Sequence, residues 1–503
     1  MLNFVILSIH PQPLELYLLF PNPMTRTISF LSGLICTVVY SSQAQNFLGL
    51  SSQFAGGIHS TYQNPGFLPQ SNGFRLHLVT GGVHLDNNYV KYAAPFSMLD
   101  LLQGKNTRPL DPNDLEEIRN GKPKNASLST ELRGPALSLM LGNKTHIALM
   151  SRVRSGFQIT DASERLMGIA RLGLANADNL QDLGYLALYA SQSENKFNLT
   201  SQAYSEWALT LGQVLAESDA SKISGGISLK RYFGYAAGYM QNQSLNYRLL
   251  PDSTSSNAAY MQVDRFEATM GYTDVNRSSF LSPGWLFGTN ASGQGWGWDV
   301  GLVYEALSDS PGQPALRLSA SVTDIGKMTY QGKSVKNYEL LAENRQITEE
   351  EWRGYSTPRE GENQLNAFGR LFEEEFGLNE DNNTGSFVIA APTALNLSAD
   401  LRLIEHFYVN ATMIQSIGRT NLPQWRQSSL VAVTPRFESS KFGLAIPIVR
   451  QNDAWAFGAS MRLGPLMVGS DNLLGIFSRN GNIKAQGVDV YAGLSFDMGK
   501  QPR

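Results

Sequence analysis

A strict two-residue alternation near the end of the chain constrains its fold more than any other feature. Successive side chains of a β-strand point to opposite faces, so alternate positions share one face. Between Val488 and Met498 one face is apolar, and the other carries smaller or polar side chains. The apolar face holds Val488, Val490, Ala492, Leu494, Phe496 and Met498. This pattern predicts a strand with one apolar side.

Alternating stretches of similar length recur along most of the chain. Apolar positions share one parity in each of the ranges 223–239, 296–304, 316–322, 395–403, 442–448 and 455–463. The opposite parity carries polar and charged residues, among them Asp299, Arg317 and Asp400, and in an earlier stretch Arg152 and Arg154. Alternating segments of about ten residues separated by turns are typical of transmembrane β-barrels, with one face in lipid and the other towards the lumen.

The composition agrees with a barrel and argues against a helical membrane protein. Hydrophobic residues make up 42% of the 503 positions, and the mean hydropathy is -0.20. After residue 45 no apolar run approaches the roughly 18 residues that a spanning helix needs. The formal net charge of -3 gives no basic footprint, so nucleic acid is not an expected partner.

The fold class predicted is all-β: a closed antiparallel transmembrane β-barrel of about 14 strands, with helical insertions in its loops. A soluble β-sandwich also alternates, and two or three soluble domains fit the chain length. The predicted strands are longer than those of most globular sheets, and no linker-like break separates them. Aromatic residues near predicted strand ends favour the barrel, namely Tyr89, Tyr92, Trp296, Tyr304, Tyr408 and Trp455.

The first 44 residues are interpreted as an N-terminal extension and a signal peptide. Met24 is the expected start, with Arg26 as the basic residue, an apolar stretch over 28–40 and cleavage after Ala44. Cys36, the only cysteine, lies within the apolar stretch. The predicted mature chain therefore has no thiol, and disulfides and cysteine-based metal sites are excluded.

The predicted barrel domain spans residues 45–503, and three segments interrupt its strand pattern. Helical insertions are expected near 97–124, 161–192 and 335–385, the last being the most charged part of the chain. Because the apolar parity changes across Gly134-Pro135, a β-bulge is predicted there.

No catalytic, cofactor-binding or metal-binding residue is predicted. The mature chain has five histidines, at positions 59, 77, 84, 146 and 406, and no two of them share a local ligand spacing. His84 and Asp86 lie on the polar parity of one strand and are the only candidate pair of base and orienting group. A solvated lumen pair is the more common reading, so an enzyme is not expected.

Several motifs resemble an uncharacterised Bacteroidota outer-membrane β-barrel family. They are Asn64-Pro65-Gly66-Phe67-Leu68, the segment 297–304 (GWDVGLVY), Ser321-Val322-Thr323-Asp324-Ile325-Gly326, the segment 462–474 (RLGPLMVGSDNLL) and Asp489-Val490-Tyr491-Ala492-Gly493-Leu494. The resemblance covers nearly the whole mature chain. It implies a barrel distantly similar to fatty-acid-transporter-type barrels and to secretion-system barrel subunits, with no agreed activity and no cofactor.

Two functions are compatible with these patterns. The first is a porin-like barrel, or a barrel that transports small hydrophobic molecules. The alternative is a non-enzymatic scaffold or accessory barrel for surface-protein secretion or envelope attachment. Both place the protein in the cell outer membrane, with outer-membrane lipid and the barrel-insertion machinery as partners. A small hydrophobic ligand belongs to the first function, and an envelope protein partner to the second.

Overall fold

The computed structural model describes residues 47–53, 58–70, 74–106, 108–172, 195–251, 259–274, 283–307, 314–348, 351, 364–418, 421–480, 482 and 484–497. The predicted extension and signal peptide at 1–44 and most of the second predicted insertion, from 173 to 192, lie outside the described residues. Within the described ranges, no helix has both the length and the apolar character needed to cross a membrane.

Strands account for most of the structure. They are β1 (Arg75–Asn87), β2 (Val90–Tyr92), β3 (Leu115–Glu117), β4 (Lys124–Leu141), β5 (Thr145–Ala162), β6 (Asn198–Glu217), β7 (Ser221–Pro251), β8 (Ala259–Thr273), β9 (Gly293–Ala306), β10 (Leu316–Gln331), β11 (Val335–Ile347), β12 (Ser386–Ala390), β13 (Ala394–Ile404), β14 (Phe407–Ser416), β15 (Leu430–Glu438), β16 (Phe442–Ala445), β17 (Ile448–Gln451), β18 (Ala454–Phe457), β19 (Ala459–Leu463), β20 (Leu466–Ser470) and β21 (Gly487–Asp497).

The α-helices are short; two precede β1, and the others lie in connections between strands. They are α1 (Leu48–Ser51), α2 (Ile58–Gln63), α3 (Met98–Leu102), α4 (Glu164–Leu172), α5 (Gln364–Phe376) and α6 (Leu473–Ile476). Short 3-10 helices occupy Pro65–Gln70, Pro112–Asp114, Pro283–Phe287 and Glu380–Asn382.

The antiparallel ladder closes on itself, which confirms the predicted barrel. β1 pairs with β4 on one side and with β21 on the other, from Arg75↔Asp497 to Asp86↔Gly487. The ring has fourteen strands, because β12 with β13, β16 with β17, and β18 with β19 each form one interrupted strand. Closure leaves no open edge in the wall, the condition that lipid imposes on a β-structure.

The predicted bulge at Gly134-Pro135 is confirmed. Arg133 pairs with Arg152, whereas Ala136 pairs with Met150, so β4 carries one more residue than β5 across this step. The bulge shifts the outward face from the parity of Leu132 to that of residues 137, 139 and 141. One extra residue therefore keeps both halves of β4 apolar towards the outside.

The outer wall carries the predicted apolar belt. On β9 the even positions from 296 to 304 are exposed, whereas Asp299 and Glu305 face inwards and are buried. The same division holds in β13, where Leu397, Leu401 and Leu403 are exposed. Trp296, Tyr304 and Trp455 lie on this outer surface. Tyr89, Tyr92 and Tyr408 also lie near strand ends, but loop and lumen contacts bury all three.

The two ends of the barrel differ. The short-turn rim connects strands through 142–144, 218–220, 405–406, 439–441 and 464–465, and through the longer connection 307–315. The long-loop rim carries the connections 88–123, 163–197, 274–292, 332–385, 417–429 and 471–486, and one tight turn at 452–453. Bacterial outer-membrane barrels have the same asymmetry, with short periplasmic turns and long extracellular loops.

A rim unit stands above the long-loop rim, outside the fourteen-strand ring. The upper part of β7 pairs with β8 from Gly238↔Tyr272 to Pro251↔Ala259, and β8 pairs in turn with β11. α5 covers this small sheet, with Phe368, Phe372 and Phe376 packed against its buried side. The segment 335–385, expected to be a helical insertion, thus begins with a strand. Likewise, the segment 97–124 holds α3 but also β3, which pairs with β2.

The plugged lumen as candidate functional site

A separate piece of chain fills the part of the lumen near the short-turn rim. This lumen segment consists of residues 47–53 and 58–70 and contains α1, α2 and the 3-10 turn Pro65–Gln70. Nearly all its residues are buried, including Phe47, Leu50, His59 and Thr61. None of its described residues joins the wall ladder. The segment is therefore held by side-chain contacts and single hydrogen bonds.

Asp471 anchors the beginning of the lumen segment. Its carboxylate accepts hydrogen bonds from the backbone N–H groups of Leu48 (2.9 Å) and Gly49 (3.3 Å). The Tyr491 hydroxyl donates a third hydrogen bond, at 3.0 Å. Gly49 packs so closely on the wall that a Cβ atom would lie 2.1 Å from Ser460 Oγ. A single carboxylate thus fixes α1 against β19 and β21.

Asn64 anchors the end of the lumen segment. Its Nδ2 donates to the carbonyls of Leu302 (3.1 Å) and Ala320 (3.2 Å), on the neighbouring strands β9 and β10. Its Oδ1 accepts from Gly66 N–H at 2.8 Å. A Cβ atom at Gly301 would lie 2.0 Å from this Oδ1, so only glycine admits the contact. The Asn-Pro-Gly element and the Gly-rich β9 motif therefore fit each other.

Guanidinium groups pack on the aromatic rings of the lumen segment. The Arg133 guanidinium carbon lies 4.1 Å from the ring centroid of Phe47 and 4.8 Å from that of Tyr62. Arg317 lies 4.9 Å from the ring centroid of Phe67. Cation–π contacts of this kind gain strength when water is excluded. They connect the segment to β4 and β10, where its hydrogen bonds are few.

Eight buried charges form a central ion network above the lumen segment. Four are cations and four are carboxylates, each at most 6% exposed. The network consists of Glu131, Arg133, Arg152, Arg154, Glu206, Lys230, Asp299 and Asp324. Equal numbers of both signs allow these groups to remain ionised away from water, because each has a partner of opposite charge.

Asp324 lies at the centre of the network. Its carboxylate contacts Lys230 Nζ at 2.6 Å, Arg154 Nη1 at 2.9 Å and Arg152 Nη2 at 3.2 Å. Its backbone has a φ of 57° at a register break in the β9–β10 ladder. Its N–H donates to Asp299 Oδ1 at 2.6 Å. The irregular backbone turns this side chain towards three cations on two strands, β5 and β7.

A second buried ion cluster lies on the opposite wall. Arg436 donates to both oxygens of Asp400, at 2.8 Å for Oδ2, and its Nε donates to Glu438 at 3.2 Å. Arg317 lies 3.5 Å from the same Asp400 oxygen. The prediction that polar parities face the lumen is confirmed for these residues, as it is for Arg152 and Arg154.

The structure brings His84 and Asp86 together, but not in a nucleophilic arrangement. His84 Nε2 lies 3.2 Å from Asp86 Oδ1, and the amide of Gln451 contacts the same nitrogen at 3.1 Å. The nearby Ser127 hydroxyl donates to Asp86, at 2.6 Å, and not to the imidazole. A histidine base must contact the nucleophile that it activates. Among the contacts described for His84, no hydroxyl takes that position.

Two further histidines meet inside the lumen. The rings of His59, on the lumen segment, and His77, on β1, are 4.6 Å apart between centroids. Thr80 Oγ1 lies 3.3 Å from His59 Nε2. His406 is at the short-turn rim, where its Nδ1 contacts the Glu438 carbonyl at 3.0 Å. Within the described ranges, no three or more His, Cys, Asp or Glu residues are placed to hold a metal ion.

Loop 421–428 folds into the lumen from the other rim. Gln424 Nε2 donates to the Ala391 carbonyl at 2.8 Å, and Gln158 Nε2 donates to the Arg426 carbonyl at 3.0 Å. Trp425 packs so closely that a Cβ at Gly156 would lie 2.5 Å from its ring. A cavity between this loop and the ion network has a volume of about 10 Å³, room for a single water molecule. Its lining is Ser129, Thr130, Glu131, Arg154, Pro392, Trp425 and Gln427.

The sequence motifs meet at the lumen segment and the ion network. Asn64, Gly301 and Asp471 anchor the segment, and Asp299 and Asp324 belong to the network. Glu131, Glu206 and Lys230 were not predicted as site residues. In the sequence, each of them is only a charged residue at an inward position of β4, β6 or β7. Alternation alone does not distinguish such a residue from a solvated residue of the lumen.

Comparison with protein-family models assigns a family to the chain. The model of the Family of unknown function (DUF5723) matches residues 65–471. A search of curated proteins finds no match to the sequence.

Solved barrel structures resemble the chain at low sequence identity. One is a TodX deltaS2S3 mutant monoaromatic hydrocarbon channel (10% identity, TM-score 0.39, covering 91% of this chain and 96% of that chain). Another is the Ralstonia pickettii toluene transporter TbuX (8% identity, TM-score 0.36, covering 87% of this chain and 92% of that chain). A third is a Pseudomonas aeruginosa FadL homologue (9% identity, TM-score 0.32, covering 91% of this chain and 99% of that chain). The fold assignment itself rests on the closed strand ladder described above.

Proposed function

The chain belongs to the Family of unknown function (DUF5723), and we propose that it is an outer-membrane transport barrel whose lumen segment acts as a removable plug. One observation carries this proposal. The lumen of a fourteen-strand barrel is closed by a length of chain that is not part of the wall. Export through a signal peptide and insertion by the barrel machinery belong to the same proposal.

The size of the barrel explains why a plug is informative. Eight-stranded barrels are filled by their own side chains, whereas sixteen or more strands leave an aqueous channel. Fourteen strands enclose a lumen that inward side chains alone do not fill. Because the lumen segment takes no part in the ladder, it can leave without breaking any hydrogen bond between neighbouring strands of the wall.

The lining of the lumen favours a polar solute over a hydrophobic one. The central ion network and the Asp400–Arg436 cluster both face the space that plug removal would open. An apolar molecule would have to displace water from these charges without replacing their contacts, which is unfavourable. Porin-like transport is therefore preferred here to transport of a hydrophobic molecule.

Deletion of residues 45–70 from the mature chain tests the proposal. We expect the shortened barrel to insert and to conduct ions across a planar bilayer, with the intact protein conducting much less. Asp471→Asn, which keeps the volume but weakens the α1 anchor, should give frequent transient openings. Asp381→Asn, on the exposed 3-10 turn of the long-loop rim, is the matched control and should conduct like the intact protein. An inserted deletion variant that stays closed would overturn the plug assignment.

The scaffold function remains the second candidate, because the rim unit supports it. This unit has its own buried apolar core, including Met240, Phe266 and Met270, and it lies outside the ring that encloses the lumen. A projecting, independently packed unit is suited to hold an envelope protein. Deletion of residues 332–385 separates this function from transport, because a scaffold would lose co-purifying envelope proteins while conductance stays unchanged.

A further inference from the structure

Two cations and two tryptophans form a row across the outer wall. Trp207 on β6 pairs with Arg231 on β7, Arg231 pairs with Trp296 on β9, and Trp296 pairs with Lys327 on β10. Directly paired residues of neighbouring strands project from the same face of a sheet. Trp296 is 55% exposed. The four side chains therefore form one outward ladder, which we name the Trp–cation row.

The Trp–cation row lies at the upper edge of the apolar belt. Below it, towards the short-turn rim, the outward positions of β9 are Trp298, Val300 and Leu302, all exposed and apolar. Above it the next outward position is Gln294. Membrane barrels carry aromatic girdles where the hydrocarbon meets the headgroups. The row thus lies at the headgroup level of the leaflet nearest the long-loop rim.

Neutral groups hold Arg231 in place. Its guanidinium carbon lies 4.9 Å from the Trp296 ring centroid and 5.3 Å from that of Phe233. It donates to the Gly295 carbonyl at 3.4 Å and to the side chain of Gln294. Lys327 is exposed two strands away, at about 10 Å by strand spacing. Both charges are available to an anion at the wall surface.

An exposed aromatic residue adjoins the row. The segment Pro283–Phe287 lies against the outer wall, where Trp207 Nε1 donates to the Leu286 carbonyl at 2.5 Å. The Phe287 ring stacks on Trp207 with 6.0 Å between centroids, and 72% of Phe287 is exposed. A large apolar side chain beside two cations at this height matches a ligand that has both a charged and a hydrocarbon part.

We propose that the Trp–cation row binds the phosphate headgroup of an anionic membrane lipid, with Arg231 and Lys327 contacting the phosphate and Phe287 lying along the acyl chain. A free phosphate ion would use the two cations but not Phe287. The site is on the opposite side of the wall from the lumen. It therefore stands independently of the plug.

Quenching of tryptophan fluorescence by brominated lipid tests the site, because two tryptophans belong to it. The full mature chain is reconstituted in phosphatidylcholine vesicles containing brominated phosphatidylglycerol or, in parallel, brominated phosphatidylcholine. The ratio of the two apparent binding constants should exceed one. Relative to the intact protein, the ratio should be about fivefold lower in Lys327→Gln and about fivefold lower in Arg231→Gln, since a cation near an anionic membrane contributes about 1 kcal/mol.

Arg450 provides the matched control. Its guanidinium carbon lies 5.4 Å from the Trp455 ring centroid, on the same outer wall, but it has a carboxylate partner in Asp453 at 3.6 Å, which also pairs with Lys122 at 2.6 Å. Arg450→Gln should leave the ratio unchanged, and the charge-preserving pair Arg231→Lys with Lys327→Arg should keep it. Equal ratios in the intact protein and in Lys327→Gln, or an equal fall in Arg450→Gln, would overturn the proposal. Channel conductance should not change in any of these variants.

Discussion

Among single residues, those that pair with charges or backbone groups inside the barrel connect its elements. Asp324 serves three cations from one irregular backbone position. Asp471 holds two backbone N–H groups and one hydroxyl. Both belong to motifs that are visible in the sequence. The partners of Asp324 lie on β5 and β7, and two of the Asp471 partners lie on α1, more than 400 residues earlier in the chain. Each acts as a junction between elements.

Removing the carboxylate of Asp324 should strongly destabilise the barrel. Asp324→Asn leaves Arg152, Arg154 and Lys230 without their shared counter-charge, and an uncompensated buried charge costs about 3–5 kcal/mol. The measurement is the urea midpoint for unfolding from vesicles. Asp264→Asn is the control, because its pair with Arg248 is exposed; its midpoint should stay close to that of the intact protein. Equal midpoints for both variants would show that the network is not a stability determinant.

Among the structural elements, the rim unit and the wall are two distinct parts of the sheet that share one strand. β7 belongs to both, because its lower part pairs with β9 and its upper part with β8. α5 adds two hydrogen bonds to the apolar contacts, as the hydroxyls of Tyr272 and Tyr338 donate to Glu373 at 2.8 Å and 2.6 Å. Burial, followed by these contacts with Glu373, raises the pKa of Tyr338, so the phenol stays protonated and donates at neutral pH.

Replacing residues 332–385 by an Asn-Gly turn should leave the fourteen-strand ring intact. Gln331 and Ser386 are already paired across β10 and β12, so a two-residue hairpin turn can join them. If the rim unit recruits an envelope protein, co-purifying proteins should disappear while conductance stays unchanged. If it controls access to the lumen, conductance should rise. Glu374→Gln, an exposed change on α5, serves as the control. Failure of the ring to insert would show that the unit is part of the wall's folding core.

At the scale of the whole molecule, lipid and water select the two faces of the wall. The outward face is an apolar belt, and the inward face holds charges that are paired with one another or with the lumen segment. Every strand of the closed ring has a partner strand on both sides, which suits a hydrocarbon environment. Such a molecule is expected to be β-rich and to keep its barrel in mild detergent until it is heated.

The effect of an arginine substitution on insertion should depend on whether the side chain faces lipid or the lumen. Leu397→Arg places a cation in the lipid belt, at about 2–4 kcal/mol near the bilayer midplane, and should reduce the fraction of heat-modifiable, inserted protein. Ser398→Arg lies on the inward side, beside Ser319 at 2.7 Å between hydroxyl oxygens, and should insert far better. Gel mobility before and after heating measures both. Equal damage at the two positions would mean that the assigned facing is wrong.

Strand pattern and facing could be predicted because they are local. The alternation in β9, β13 and β21 and the parity change at Gly134-Pro135 each depend on neighbouring residues in one strand. The burial of Tyr89, Tyr92 and Tyr408 could not be predicted locally, because loops and lumen groups from other parts of the chain cover them. The strand β11 was missed for a similar reason: its charged sequence pairs only with β8, in a unit outside the wall.

A closed barrel of about fourteen strands with an apolar outer face follows from the pattern of residues alone, since a period of two and the exclusion of open edges from lipid leave few other folds. The content of the lumen does not follow from any local pattern. Arg152 and Lys230 meet Asp324 across separations of 172 and 94 residues, and Asn64 reaches β9 across 238. Such contacts exist only after the ring has closed, because closure is what brings inward side chains of distant strands within hydrogen-bond distance.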